Sequence, residues 1–243
     1  PMDYACVANE GNTTYTVQEK SGLSADSSVS NATASATVDG NYSKDKNDEG
    51  VTETASTLTI DATNENASSV TTSNVTVSAN ALTSVKDASV SNVAIKTDVG
   101  TLTVDKTAWD KITSNATSEE GTTSPVVLSI AKTGASTDQN TPLTYTLTAK
   151  AGDEDVFAKA SAAGKITVSV PYTKTGTSDP QVYYVSANGS ENMNAVYTAP
   201  TAEGGTGTLS WDASHFSTYV VMDGEQEAML TTTSGTTYTT LSE

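Results

Sequence analysis

Stretch after stretch of this chain alternates apolar and polar residues with a period of two, the signature of a strand that buries one face. "STLTID" puts Leu58 and Ile60 on one side, and "SNVTVSA" does the same with Val75 and Val77. "SNVAIKTDVGTLTVD" carries Val93 and Ile95, a turn over residues 98–100, then Leu102 and Val104. "PVVLSIAK" aligns Val126, Leu128 and Ile130, and "TPLTYTLTAK" aligns Leu143, Tyr145, Leu147 and Ala149. "GKITVSVPY" aligns Ile166, Val168 and Val170, with Pro171 ending or edging the strand. In "PQVYYVSANGSENMNAVY" two apolar runs flank Asn188 and Gly189, a dipeptide suited to a tight hairpin turn.

Only two stretches break this rhythm. "SANALTSVKDA" (78–88) brings Leu82 and Val85 to one side of a short helix. "DKTAWDKI" (105–112) opens with Asp105 as an N-cap and stacks Ala108, Trp109 and Ile112. Many short strands separated by Gly, Asn and Asp turns predict a mainly β fold, an antiparallel β-sandwich with two short helices.

The composition supports this. Hydrophobic residues make up 35%, aromatics 6% and charged residues 17%, so Ser, Thr, Asn, Gly and Ala fill the rest. Thr favours strands and Ser, Asn and Gly favour turns, which suits a polar-faced sheet protein. The formal charge of −17 argues against nucleic acid as a partner, because phosphate binding needs a basic surface. Twelve scattered basic residues offer no polybasic run for an anionic membrane, and no stretch approaches the length of a membrane span. A single cysteine, Cys6, cannot staple the fold internally. The chain begins at Pro1 without a signal-peptide pattern and reads as a mature or trimmed piece of something longer.

Three parts are expected. Residues 1–50 form a polar segment with one or two strands, residues 51–225 the sandwich, and residues 226–243 a Thr-rich strand or tail. "SGLSADSSVSNATAS" near the start is almost free of apolar residues and offers little burial to offset ordering. Such ends become ordered by joining a sheet edge, in the same chain or in a neighbouring copy.

The run "VTVSANALTSVKDASVSNVAIKTDVGTLTVDKTAWDKI" (75–112) resembles a module of bacterial cell-surface proteins that carry S-layer homology anchors. In that module a short helix precedes a strand of the type "IKTDVGT-TVD" and a second helix follows. The later pieces "KITVSVPY", "VYYVSANGSENMNAVY" and "HFSTYVV" are similar in type and order, so the resemblance covers residues 70–223. It implies a ZU5-like, noncatalytic, extracellular β module. The segments before and after fall outside the pattern, and the chain shows no anchor repeat, so wall anchoring is not implied.

His215, Phe216 and Ser217 supply the one tripeptide with reactive potential. Some ZU5-like domains cleave themselves between Phe and Ser of such a sequence, the hydroxyl attacking the preceding carbonyl with His as base and backbone strain as drive. The competing reading, which a lone histidine favours, is a core strand "FSTYVVM" with Phe216, Val220 and Met222 on one face and Tyr219 and Val221 on the other. His215 then caps the turn "DAS" or bonds a neighbouring carbonyl. A hydrolase triad and catalytic zinc both need partners that one histidine and one cysteine cannot supply. No catalysis and no cofactor are therefore expected.

Calcium is the metal considered. "DKNDEG" places oxygen donors at Asp45, Asn47 and Glu49 before Gly50, like the opening of a calcium loop, but position twelve falls on Ser56. "GDEDVF" clusters Asp153, Glu154 and Asp155 as a turn or weak cation site. Several Asn-x-Ser/Thr sequons occur, for instance at Asn12, Asn31, Asn74, Asn115 and Asn188, as chance allows in this composition.

These features lead to an expected extracellular, cell-surface structural protein, a repeating subunit of a layer or filament. A terminal segment would complete a neighbour's sheet, with Tyr15, Val17, Tyr238 and Leu241 supplying register. Homo-oligomers or polymers are the expected partners. An adhesin for glycan or host protein, with Tyr183, Tyr184 and Tyr197 as contacts, is the first alternative. The self-cleaving domain is the second.

Overall fold

A computed structural model describes residues 22–44, 47–48, 50–135 and 141–223, together with the backbone of four terminal strands. The first two terminal strands, β1 (Tyr4–Ala8) and β2 (Tyr15–Glu19), pair antiparallel as a two-stranded ladder. Then β3 (Ser24–Ser30) and β4 (Thr33–Asp39) form a hairpin whose turn places Asn31 at φ 55°, a conformation asparagine tolerates. The next hairpin joins β5 (Val51–Thr54) to β6 (Thr57–Asp61), and β7 (Thr72–Val77) follows.

Ser78 caps α1 (Ala79–Lys86), its Oγ accepting from the Ala81 amide at 3.2 Å. After β8 (Asn92–Lys96) and β9 (Thr101–Asp105), Asp105 caps α2 (Lys106–Asn115) in the same way at 2.7 Å. The other Asp105 carboxylate oxygen accepts from the Lys165 amide at 3.0 Å. Both helices match the sequence expectation, including the buried Leu82, Val85, Ala108, Trp109 and Ile112. They pack on each other, and Trp109 Nε1 donates to the Leu82 carbonyl at 3.0 Å.

The chain continues through β10 (Val126–Thr133), β11 (Thr144–Ala151), β12 (Glu154–Asp155) and β13 (Ile166–Tyr172). Next come β14 (Gln181–Ser186), β15 (Gly189–Asn192), β16 (Val196–Thr198), β17 (Gly207–Ala213) and β18 (Thr218–Met222). Beyond it, β19 (Met229–Thr231) and β20 (Thr237–Thr239) pair, among the described residues, with each other.

The fold is mainly β, with two sheets packed face to face. One runs β15-β14-β18-β11-β10-β7-β4-β3 with β12 folded onto β11; the other runs β16-β17-β13-β9-β8-β6-β5. Neither is wholly antiparallel. β4 lies parallel to β7, and β6 parallel to β8. Each parallel pair is joined by a crossover through the opposite sheet, as parallel neighbours require. Strands β3 and β4 belong to the first sheet, so the sandwich reaches further toward the N-terminus than residue 51.

The alternations are realised as burial. Leu58, Ile60, Val75, Val77, Leu102, Val104, Ile130, Leu147, Val168 and Val170 are all essentially inaccessible to solvent. The outward rows explain the lean hydrophobic content. Ser28, Ser35, Asn74, Ser129 and Thr148 lie side by side across one sheet, and Thr52, Thr59, Ala94, Thr103 and Thr167 across the other. Pro171 sits where β13 has outrun β9, which pairs only with residues 166–169, so no ladder bond is lost on that side.

One expected hairpin is rearranged. Ser186 pairs with Gly189, so the turn residues are Ala187 and Asn188, and Gly189 at φ 128° closes the turn. The second apolar run does not return along β14. It forms β16, which pairs with β17 in the other sheet, where Tyr197 meets Tyr172 edge-on at 6.4 Å.

Candidate functional site

The segment between β17 and β18 holds the tripeptide, and a hydrogen bond to the main chain of each residue fixes it. The His215 carbonyl accepts from Tyr219 Oη at 2.7 Å, the Phe216 amide donates to the Phe157 carbonyl at 3.0 Å, and the Ser217 carbonyl accepts from the Leu147 amide at 2.9 Å. Residues 214–217 interrupt the strand before β18 begins, so alternation does not carry through them. Phe216 therefore turns inward onto Phe157, ring centroids 5.3 Å apart, and joins the core with Tyr219 and Val221. That corrects the expectation that Phe216 shares a face with Val220 and Met222.

The imidazole of His215 is 6% exposed and meets Tyr184 edge-on at 4.8 Å. Neither ring nitrogen has a hydrogen-bond partner. The ring thus neither caps the preceding turn nor bonds a carbonyl; the main-chain oxygen of His215 does the bonding. Burial, aided by the Lys159 ammonium, pushes its pKa below the ordinary histidine value, against weaker opposing effects of Glu191 and Asp155. Among the described residues, positive φ angles do not occur at positions 215–217. The site sets a buried ring, held toward its neutral form, beside a serine it does not hydrogen-bond, in backbone without a left-handed residue. As a nucleophile and base pair it is unassembled.

The calcium expectation divides. Asp45 and Glu49 lie outside the described residues. Asn47 is a turn acceptor, its Oδ1 taking the Leu23 and Ser43 amides at 3.2 Å each. Asp153 lies in the β11–β12 turn, where Gly152 adopts φ 60°; Glu154 and Asp155 form β12, and Asp155 Oδ1 accepts from the Phe157 amide at 3.0 Å. Among the described residues, no cluster of three or more His, Cys, Asp or Glu side chains has metal-binding geometry.

The three adhesin tyrosines are not brought together. Tyr183 and Tyr184 are consecutive on β14 and point to opposite faces, and Tyr197 belongs to the other sheet. Tyr184 packs on His215 and Tyr219, and Tyr197 packs on Tyr172. Of the sequon residues, Asn115 is committed to the fold, its Nδ2 donating to the Val156 and Ser161 carbonyls at 3.1 and 3.2 Å. Tyr15 and Val17 lie on β2 and Tyr238 on β20; Leu241 lies outside the described residues.

A residue that sequence reasoning missed is Asp223, 2% exposed at the end of β18. Its Oδ2 accepts from Tyr172 Oη at 2.7 Å, the Thr175 amide at 2.9 Å and Thr175 Oγ1 at 2.8 Å. Burial raises its pKa, but these hydrogen bonds together outweigh burial and hold the carboxyl below its ordinary value. Nothing in a lone Asp after an apolar run signals this role, because its partners lie about fifty positions away.

No family model matches the chain, and neither a curated protein nor a solved structure shows significant similarity to it.

Proposed function

We propose that this chain is a noncatalytic, extracellular structural protein, a ZU5-like repeating subunit of a cell-surface layer or filament built by strand exchange. One observation carries the reading. Both sheets end in edge strands on each side, while the terminal strand pairs β1–β2 and β19–β20 stand outside both sheets. Open edges and spare strands are complementary, because an added strand satisfies backbone groups that an edge leaves unpaired. A contact of this kind, head to tail, propagates into an open chain. The outward rows rich in Ser, Thr and Asn support the same reading, since they keep the sheet faces wetted.

Deleting residues 1–20 tests it. Electron microscopy of the purified full chain should show periodic assemblies, and the truncated chain should give folded monomers only. A truncated protein that still polymerises refutes the proposal.

A further inference from the structure

We propose that the outer edge of β3 is the acceptor in this assembly, and that its occupant is the N-terminal strand Tyr15–Glu19 of a second copy. The inference rests on the strand-exchange reading above and adds which edge and which strand meet.

Among the described residues the sheets end in four edge strands, and they differ sharply. β3 has seven residues, whereas β15 and β5 have four each and β16 has three. Proteins protect long edges with lysine, proline or bulges. β3 has none of these. Its ladder with β4 runs without interruption from Ser24 opposite Asp39 to Ser30 opposite Thr33, and Asp26 is its one charged residue. β5 and β15, by contrast, each spend one of four residues on a glutamate, Glu53 and Glu191. In the core-facing row of β3, Ser27 Oγ donates to Asn64 Oδ1 at 3.0 Å, but the row is open at its far end. Val29 lies opposite the buried Ala34, yet is itself 40% exposed, as a core-side residue is when its neighbouring strand is missing.

The entry to β3 is held firmly. Leu23 is buried, its amide donates to Asn47 Oδ1 at 3.2 Å, and its carbonyl accepts from the Asp48 amide at 2.9 Å. Gly40, at φ 92°, lies so close to the Gly22 carbonyl that a side chain there would collide with it. The chain therefore comes into β3 clamped between Gly40 and residues 47–48, on the side of the β4–β5 connection. In the free chain β2 pairs with β1 instead of with β3.

Tyr15 and Val17 have the parity that an acceptor with Ala25, Ser27 and Val29 in its inner row requires. Laid antiparallel with Val17 across from Ser27, the donor puts Tyr15 beside Val29 and covers it.

The test uses the full chain with Cys6→Ser. One batch carries Val17→Cys and another Ser27→Cys; they are mixed under assembly conditions and mildly oxidised. A disulfide-linked heterodimer between the two batches is expected, and none when Ser190→Cys on β15 replaces Ser27→Cys. Separately, Val29→Lys, at an already exposed position, should leave thermal unfolding unchanged while lowering the polymer fraction about ten-fold or more. Polymers that link through Ser190→Cys, or that form normally with Val29→Lys, overturn the β3 assignment and leave strand exchange standing. A full-length chain that never polymerises overturns both.

Discussion

The Tyr172 hydroxyl reaches across 2.7 Å to the carboxylate of Asp223, joining the end of β13 in one sheet to the end of β18 in the other. The same oxygen holds the backbone and side chain of Thr175, so one buried anion fastens both sheets and the loop after β13. Asp223→Ala strands those donors and is expected to cost about 2–4 kcal/mol, and Asp223→Asn somewhat less. Urea melts check this.

The pH dependence of that clamp has a definite sign. The folded carboxyl titrates below its unfolded value of about 4, so its contribution is fully present above that pH. It fades as pH falls through the lower folded value. The deficit of Asp223→Asn relative to the parent should thus be full at neutral pH and shrink below about pH 4. A deficit unchanged at pH 3 would show that the charge is not what holds the loop.

His215 behaves in the opposite pH range. Its folded pKa lies below the unfolded value of about 6.5, so above that pH both states are neutral and stability is unaffected. As pH falls below it the unfolded chain takes up a proton that the buried ring refuses, and stability drops by up to about 1.4 kcal/mol per pH unit until the folded ring also titrates. Replacing the ring by His215→Leu removes two unpartnered buried nitrogens. The variant should match or exceed the parent at pH 5 and lose this part of the slope between pH 6.5 and 5. Equal slopes in both proteins would count against a neutral, sequestered imidazole.

The β5–β6 turn is built from the wrong residues for its shape. Ala55 and Ser56 both take positive φ, 49° and 64°, in a two-residue hairpin loop that favours Asn-Gly. The Ser56 carbonyl accepts the Ser91 amide at 2.8 Å and so holds the turn against β8 in spite of this cost. A left-handed residue with a Cβ costs about 1–2 kcal/mol. The double substitution Ala55→Asn, Ser56→Gly should therefore raise stability by about 1 kcal/mol or more, read as a higher urea midpoint with unchanged slope. A lower midpoint would mean that these side chains make contacts worth more than the strain.

Much of the sandwich could be read from residues such as Leu58, Ile60, Ile166 and Val168, because a half-buried strand writes its inner face at every second position. The Asp105 cap could be read for a similar reason: a cap is local, and Asp105 bonds the amide three residues on, as Ser78 also does. What stayed hidden depends on distant partners. Nothing within β6 says that it will lie parallel to β8 rather than antiparallel to β7, and nothing in β16 says that Tyr197 will seek Tyr172 across the molecule. β3 was faint because an edge strand with Ala25, Ser27 and Val29 inside needs little hydrophobicity. The tripeptide was ambiguous because one run of letters serves a strand start and a cleavage site alike. Only the direction of the imidazole separates them.

That direction leads to the last expectation. Cleavage between Phe216 and Ser217 needs the serine hydroxyl activated and the peptide strained. Here the ring of His215 packs on Tyr184 with neither nitrogen bonded, and the flanking carbonyls of His215 and Ser217 are tied to Tyr219 and Leu147. The bond should stay intact, and a denaturing gel of the purified protein should show a single full-length band across weeks of storage. Ser217→Ala should leave that band and the unfolding midpoint within about 0.5 kcal/mol of the parent, as expected for a half-buried side chain remote from any special contact. A pair of bands, one ending at Phe216 and the other beginning at Ser217, that vanishes in Ser217→Ala would instead reveal that the serine attacks its own backbone.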